Sequence, residues 1–400
     1  MISPSRRLLG GRSYKTTRFR NASNCVTISL ILEGFSTERV FVVSDQSVGT
    51  KAESQAEIKL LGEEDPSVIT YSRALPVALT RVCRNNCGYC AFHRKDNLAV
   101  PYSTIKLCKM ARANGAREML CVAGERPDRF PQIRATLDLW GFDSYLDYVY
   151  TICELGFLEG LIPVIELGLL SPHEIKKLSE MAAMLKLNLD TVDADRHTKI
   201  YPSSPGKRFE TRFKSLVWAT KLGLPVATGI MVGLGETKAH RRECLKSIAE
   251  LAKQTGMIAE VLIQNLVPEP GTPFASMNTP NRQDVLDAAE MALTVMPKGV
   301  RVSVPLEGNP DIADFIRLGI RDVGRIYEGQ RVMFTKTGPI SISTLEKELE
   351  ALGFHLQQRF PLSLAFIREG KYSKKMGQVF DAYRYKIKKD DQQGKTQKLG

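Results

Sequence analysis

From about Ile69 the chain alternates short, apolar, β-rich runs with longer stretches of helix-like, amphipathic periodicity, and this alternation restricts the fold more than any other feature. The apolar runs cover residues 77–80, 118–122, 162–166, 187–190, 226–231, 261–264 and 300–304. Helix-like segments lie between them over 103–113, 145–155, 172–185, 208–222, 238–255 and 282–294. Strands separated by helices pair in parallel, because the chain must cross back over the sheet before the next strand starts. Seven units are evident and an eighth runs through 320–326, which predicts an α/β fold: a closed (β/α)8 barrel of the TIM type. An open sheet would need a reversal of strand order, for which the sequence gives no sign. In a barrel, chemistry gathers in the loops that follow the strands. Past the barrel, 343–352 reads as a helix ended by Gly353, and the Lys-rich tail after Tyr372 reads as helical.

The loop after the first predicted strand carries Cys83, Cys87 and Cys90 within eight residues. Three thiolates on one short loop can hold three irons of a 4Fe-4S cluster and leave the fourth iron to a ligand that is not protein. The rival is a structural zinc loop, which needs four protein ligands. Cys25, Cys108, Cys121, Cys153 and Cys244 stand alone, so His93 is the only local candidate for a fourth. A disulfide framework does not suit a chain long enough to bury an ample core. Reduced thiolates imply a cytosolic setting.

The net charge of +12 belongs entirely to the two ends. Residues 1–32 carry six Lys or Arg and no acid; residues 371–400 carry nine against three Asp; residues 33–370 are neutral. Basic tails of this kind solubilise or touch polyanions without reading sequence, so nucleic acid is not the expected partner. Residues 1–24 also resemble an organellar presequence in composition, whereas 26–32 and 40–43 read as strands of a small appended element. A start codon assigned too far upstream would explain the same stretch. No run of about 18 apolar residues is present, so no membrane span is expected. The expected organisation is an extension over 1–67, a barrel over 68–330, a helical and loop element over 331–370, and a basic tail over 371–400.

Later strand ends carry residues suited to a charged, nucleoside-like ligand. Gly124 permits close backbone approach and Glu125 can accept from an ammonium group. Asp190 suits ribose hydroxyls, and Arg212, after the run Ser204, Pro205, Gly206 and Lys207, suits a carboxylate. Residues 229–236, which include Gly229, Gly233 and Glu236, would let an adenine ring lie against backbone.

The cysteine spacing, with Tyr89 before the last cysteine, resembles the radical S-adenosylmethionine (SAM) superfamily. Within it, residues 70–73, 84–92, 124–127, 204–207, 229–236, 264–265 and 270–273 resemble FO synthase of the CofG kind, over roughly 68–305 and more faintly to Ile367. The resemblance implies a 4Fe-4S cluster on Cys83, Cys87 and Cys90 and exchangeable SAM. It implies that Tyr89 meets the adenine, Glu125 the methionine ammonium, Arg212 its carboxylate, Asp190 the ribose, and Gly124, Gly229, Gly233 and Glu236 the nucleoside. The reaction implied is that of an ammonia-lyase. A 5′-deoxyadenosyl radical takes hydrogen from the 4-hydroxybenzyl adduct of a ribityl-aminouracil, and cyclisation with ammonia loss gives the deazaflavin FO. A companion CofH enzyme and an electron donor are the further partners implied.

Two segments depart from the family pattern. A Pro-His-Thr-Asn-Pro-Gly-type loop is replaced after the third strand by Glu166, Leu167, Gly168, Leu169 and Leu170. An Asp-Trp-Gly-Gly-type turn near the eighth strand is replaced by Arg321, Asp322, Val323, Gly324 and Arg325, and both changes are expected to face substrate. They admit a paralogue that keeps the radical chemistry but acts on another adduct. An iron-sulfur or zinc protein that binds nucleic acid through its tails is the alternative of another class.

Overall fold

The structure, a computed structural model, describes residues 6–7, 13–20, 26–32, 41–42, 65–93, 96–193, 199–309, 311–327 and 341–397. In the N-terminal unit, Arg6–Arg7, Ser13–Arg20, Val26–Leu32 and Phe41–Val42 form an antiparallel sheet of their own. In the second unit the strands are β1 (Val68–Thr80), β2 (Glu118–Ala123), β3 (Ile162–Glu166), β4 (Met184–Lys186), β5 (Val226–Val232), β6 (Ile258–Asn265), β7 (Arg301–Ser303) and β8 (Asp322–Ile326). They are hydrogen-bonded in sequence order and all parallel. The pairing of Asp322 with Thr70 and of Arg325 with Ser72 joins β8 to β1 and closes the barrel. A ninth strand, β9 (His355–Gln358), pairs with residues 68–71 of β1, on the edge that β2 occupies further along.

The helices are α1 (Pro101–Ala113), α2 (Pro131–Trp140), α3 (Tyr145–Leu158), α4 (Pro172–Ser179), α5 (Phe209–Lys221), α6 (Lys238–Thr255), α7 (Arg282–Val295), α8 (Ala313–Leu318), α9 (Ile342–Ala351), α10 (Leu364–Glu369) and α11 (Lys374–Gln397). β2 and the first six residues of β6 are wholly buried, as expected of strands with the barrel core on one side and helices on the other.

The predicted barrel is present, with three local corrections. The helix expected over 172–185 ends at Ser179, and the fourth strand is Met184–Lys186 rather than 187–190. Residues 181–189 are apolar or buried throughout, so periodicity cannot separate helix from strand there. A capping box, in which Ser171 and Glu174 satisfy each other's backbone N–H groups, fixes where α4 begins. Helix α2 was not expected. The segment 321–325 is not a turn at the substrate face: Asp322 to Arg325 are the first four residues of β8, so it lies in the amino-terminal part of that strand.

That amino half of the barrel is filled by charge. Arg325 Nε donates to Glu118 Oε1 at 2.5 Å, and Arg325 Nη1 lies 3.2 Å from Glu260 Oε2. Arg359 donates from Nε and Nη2 to the two oxygens of Asp322 at 2.5 and 2.9 Å and reaches Glu260 at 3.3 Å. Ser72, Thr70 and Ser303 donate to Glu118, Asp322 and Asp322 respectively. All five charged side chains are buried. Arg359 comes from beyond β9, where its N–H donates to Tyr71 O at 2.8 Å, so a segment outside the eight units completes the interior. Around it, Ile342, Leu345 and Leu349 of α9 pack with Ile69, Val323 and Ile326.

Breaking a buried ion group strands its partners in low dielectric. Arg359→Met is therefore expected to lower unfolding stability by about 3 kcal/mol in a urea titration. Burial pushes the Glu260 carboxyl up, but Arg325, Arg359 and Arg301 outweigh burial and hold it below its ordinary range. A carboxyl depressed in the folded state stabilises above its unfolded pKa and loses that contribution as pH falls. Wild-type stability should thus decline as pH drops from about 4.5 toward about 2, and Arg359→Met should flatten this limb.

Candidate active site

At Thr80 the chain leaves β1 and turns into the cysteine loop, with Val82 N donating to Thr80 Oγ1 at 3.1 Å. The end of β2 lies directly against it. A Cβ at Gly124 would fall 2.1 Å from Val82 O and 2.6 Å from Cys83 Cβ, so only glycine allows this approach. The contact lets Glu125 N donate to Cys83 Sγ at 3.1 Å and Arg84 N donate to Glu125 O at 2.9 Å. Asn85 N and Phe92 N also point at sulfur, at 3.4 Å from Cys83 and Cys90. On its other side the loop is fixed by Gly88 N to Ile200 O, Phe274 N to Gly88 O, and Asn86 N to Ser204 Oγ. Cys87 is buried with Ile200, Tyr201, Leu234 and Leu266, and Tyr89, Cys90, Met231 and Phe274 pack on that cluster.

Cys83, Cys87 and Cys90 form no disulfide. Burial raises all three, Cys90 to about 12, while Lys207 opposes the shift at each. Among the described residues no three His, Cys, Asp or Glu side chains close around a single ion. A cluster spreads its ligands over separate irons, and N–H groups aimed at sulfur tune such centres. The donor set, three neighbouring thiols with backbone N–H groups on two of them, fits that group. Iron displaces the proton that burial alone retains. The side chain of His93 lies outside the described residues.

The acids and bases around the loop form connected pairs. Glu125, 3% exposed, accepts from Arg84 Nε at 2.7 Å on Oε1 and from Leu169 N at 3.1 Å on Oε2. A Cβ at Gly206 would fall 1.8 Å from Glu125 Oε1, which explains a glycine at that place in the 204–207 turn. Asp190 has φ 64°, in the left-handed region that Asp tolerates better than most residues. Its Oδ2 accepts from Lys207 at 2.7 Å and from Tyr89 and Tyr201, each at 3.2 Å. Burial works against the Asp190 charge, but Lys207 and Arg212 outweigh it and hold the carboxyl below its usual range. Arg212 donates to Asn188 O at 2.5 Å and to Gly206 O at 3.2 Å.

The structure therefore brings together Cys83, Cys87, Cys90, Tyr89, Gly124, Glu125, Asp190 and Arg212. Gly229 sits between β4 and β6, where Asn188 reaches across to donate to Gln264 Oε1. Glu236 accepts on Oε1 from Arg241 at 2.6 Å and Gly233 N at 3.2 Å, while its Oε2 is buried without a hydrogen-bond partner among the described residues; Leu234 of that loop packs against Cys87. Tyr201 was missed by sequence reasoning and Lys207 was read only as part of a cationic turn. Their signal is a Tyr and a Lys flanking a Ser-Ser-Pro-Gly turn, which acquires meaning only once Asp190 lies between them. Of the two departing segments, 166–170 does border the site, through Leu169 N on Glu125.

Residues 77–248 match the Radical SAM superfamily. The 7,8-didemethyl-8-hydroxy-5-deazariboflavin synthase of Archaeoglobus fulgidus is 33% identical over 319 residues, 79% of this chain and 97% of that protein. The synthase of the same name from Methanothermobacter thermautotrophicus is 32% identical over 306 residues, covering 75% of this chain and 93% of its own. Among solved structures, methylornithine synthase superposes with a TM-score of 0.57 at 18% identity, over 73% of this chain and 84% of that one. The FeFe-hydrogenase maturase HydG from Carboxydothermus hydrogenoformans gives 0.57 at 17%, over 73% and 68%. At these identities the two structures share the fold alone.

Asp190→Asn leaves Lys207 without its counter-ion in a buried setting, and should lower stability by about 3 kcal/mol in chemical denaturation of the cofactor-free chain. Tyr89→Phe removes one of three bonds to the same oxygen and should cost only about 1 kcal/mol.

Proposed function

The chain belongs to the radical SAM superfamily and, within it, to the family of 7,8-didemethyl-8-hydroxy-5-deazariboflavin synthases, and from that premise we propose that it makes the deazaflavin FO. The substrate in this reading is 5-amino-5-(4-hydroxybenzyl)-6-(D-ribitylimino)uracil, converted by hydrogen abstraction with a 5′-deoxyadenosyl radical, cyclisation and ammonia loss. The observation that carries the reading is the set of three thiols on the loop after β1, standing among Glu125, Asp190, Lys207 and Arg212 at the carboxyl ends of the strands. Cys83, Cys87 and Cys90 would hold three irons of a 4Fe-4S cluster. When bound, the cluster supplies the electron that splits the sulfonium of SAM.

The chain's own groups would orient that nucleoside. The hydrogen bonds to Asp190 all end on Oδ2 among the described residues, so Oδ1 is left for ribose hydroxyls. Glu125 is pinned by Arg84 and Leu169 N, yet a carboxylate accepts about four bonds and has room for an ammonium. Arg212 spends two of its N–H groups on backbone carbonyls and keeps others for a carboxylate. The Tyr89 ring, fixed through its hydroxyl and edge-on to Tyr201 at 6.0 Å, offers a surface to adenine. Gly229, Gly233 and Glu236 would meet the adenosine, with Gly233 N donating to Glu236 Oε1 within that loop. The adduct would come from a companion CofH enzyme and the electron from a separate donor.

A second reading, a paralogue acting on another adduct, is favoured by one observation: the departing loop 166–170 borders the site. Anaerobic incubation of the reconstituted, reduced protein with SAM and the adduct separates the two. FO fluorescence together with 5′-deoxyadenosine supports the first reading; 5′-deoxyadenosine without FO selects the paralogue; neither product sinks both. Cys87→Ala should abolish 5′-deoxyadenosine formation.

A further inference from the structure

The carboxyl ends of β4 and β6 carry a pair of side-chain amides to which the holding of the nucleoside gives no task. Beyond β4 the chain continues along β5, with Leu187 N donating to Ala227 O at 2.9 Å and Leu189 N to Gly229 O at 3.0 Å. Asn188 lies between these two contacts. Its carbonyl oxygen accepts from Arg212 Nε at 2.5 Å, so it borders the group read above as a carboxylate ligand. Its side chain crosses β5 and donates from Nδ2 to Oε1 of Gln264, the last residue but one of β6. Asn188 is 7% exposed, and its Oδ1 is buried without a hydrogen-bond partner among the described residues. Lys186, two residues earlier, is already engaged, donating to both oxygens of Glu166 at 2.7 and 2.8 Å. A buried amide oxygen left unpaired costs free energy, which a ligand recovers by bringing a donor to it. Nδ2 carries two N–H groups, so one remains after the bond to Gln264. An acceptor and a donor on one carboxamide complement a donor beside an acceptor, the pattern of a lactam or imide edge. The amide carries no charge, so it offers a carboxylate or an ammonium no counter-ion.

We propose that Asn188 recognises the pyrimidinedione ring of the substrate and that Gln264 is the residue that positions it; this rests on the deazaflavin-forming reading above. The 5-amino-5-(4-hydroxybenzyl)-6-(D-ribitylimino)uracil of that reading carries an N3–H between two ring carbonyls, across the ring from C6. Asn188 Oδ1 accepts from N3–H, and the remaining Nδ2 N–H donates to a neighbouring ring carbonyl. Gln264 Oε1 takes the other N–H and so fixes which way round the amide stands. Pairing of this kind rejects a ring that lacks the N–H, because the amide oxygen then stays buried and unpaired. No bond to N3 is made or broken.

The test compares the adduct with its N3-methyl counterpart in anaerobic, reconstituted enzyme supplied with SAM, reading kcat/KM for formation of FO and of its methylated equivalent. Wild type should prefer the N3–H compound on the order of 10²-fold. Asn188→Ala should lower kcat/KM for the N3–H adduct by a similar factor and remove most of the preference, since the methyl group then has room and no acceptor is stranded. Gln264→Leu, which frees the amide to turn, should reduce the preference in part, and it carries the test if Asn188→Ala does not fold. A merely structural role would slow both compounds alike. An Asn188→Ala enzyme, or in its place a Gln264→Leu enzyme, that keeps the wild-type preference therefore overturns the inference alone, as does wild type that converts the two compounds equally well. Wild type that makes 5′-deoxyadenosine but no FO from the unmethylated adduct overturns the reading beneath it, and the inference with it.

Discussion

The buried charge group formed by Arg325, Arg359, Glu118, Glu260 and Asp322 is the interaction on which the barrel turns. Its members come from β2, β6, β8 and the segment beyond β9, so satisfying one side chain requires all four pieces to be in register at once. In a low-dielectric interior an unpaired charge costs several kcal/mol, whereas aliphatic side chains tolerate a range of packings. The group thereby specifies one closed arrangement. It also explains why Arg359, just beyond β9, belongs to the barrel's interior although it lies past the eighth strand.

Closure at the amino half leaves the carboxyl half free to be irregular. There the strands end in loops that approach backbone to backbone, most tightly where Gly124 meets Val82 and Cys83. The ionisable groups divide into two sets. Glu125, Asp190, Lys207 and Arg212 surround the cysteine loop and are tied into pairs by short bonds. Glu166 and Lys186 form a further pair at the ends of β3 and β4. Lys186 ends β4, and Asp190 follows it outside that strand.

Much of this was legible in the sequence, for reasons that can be named. The β/α alternation survives as periodicity because strands of a parallel barrel are buried on both faces while the helices keep a wet side. Lys238–Thr255 matched its predicted limits because Thr237 caps one end and Gly256, at φ 62°, stops the other. The boundary within 181–189 failed because an unbroken buried run has no face to read. The segment 321–325 reads as a turn facing substrate, whereas Asp322 to Arg325 form the start of β8. Nothing in the glycine-rich loop signals that Glu236 Oε1 pairs with Arg241 of α6.

By itself the sequence determined the fold class and the chemistry of one loop. Both are local properties: hydrophobic period within some twenty residues, and three thiols within eight. Tertiary structure alone decided what each charge is for. Asp190 and Lys207 are 17 residues apart, Glu125 and Arg84 are 41 apart, and Arg325 and Glu118 are 207 apart. Whether such a side chain becomes a free ligand group, a fixed half of a pair or a structural lock depends on burial and on which opposite charge the fold delivers. Coulomb interaction acts through space, and chain order does not record it.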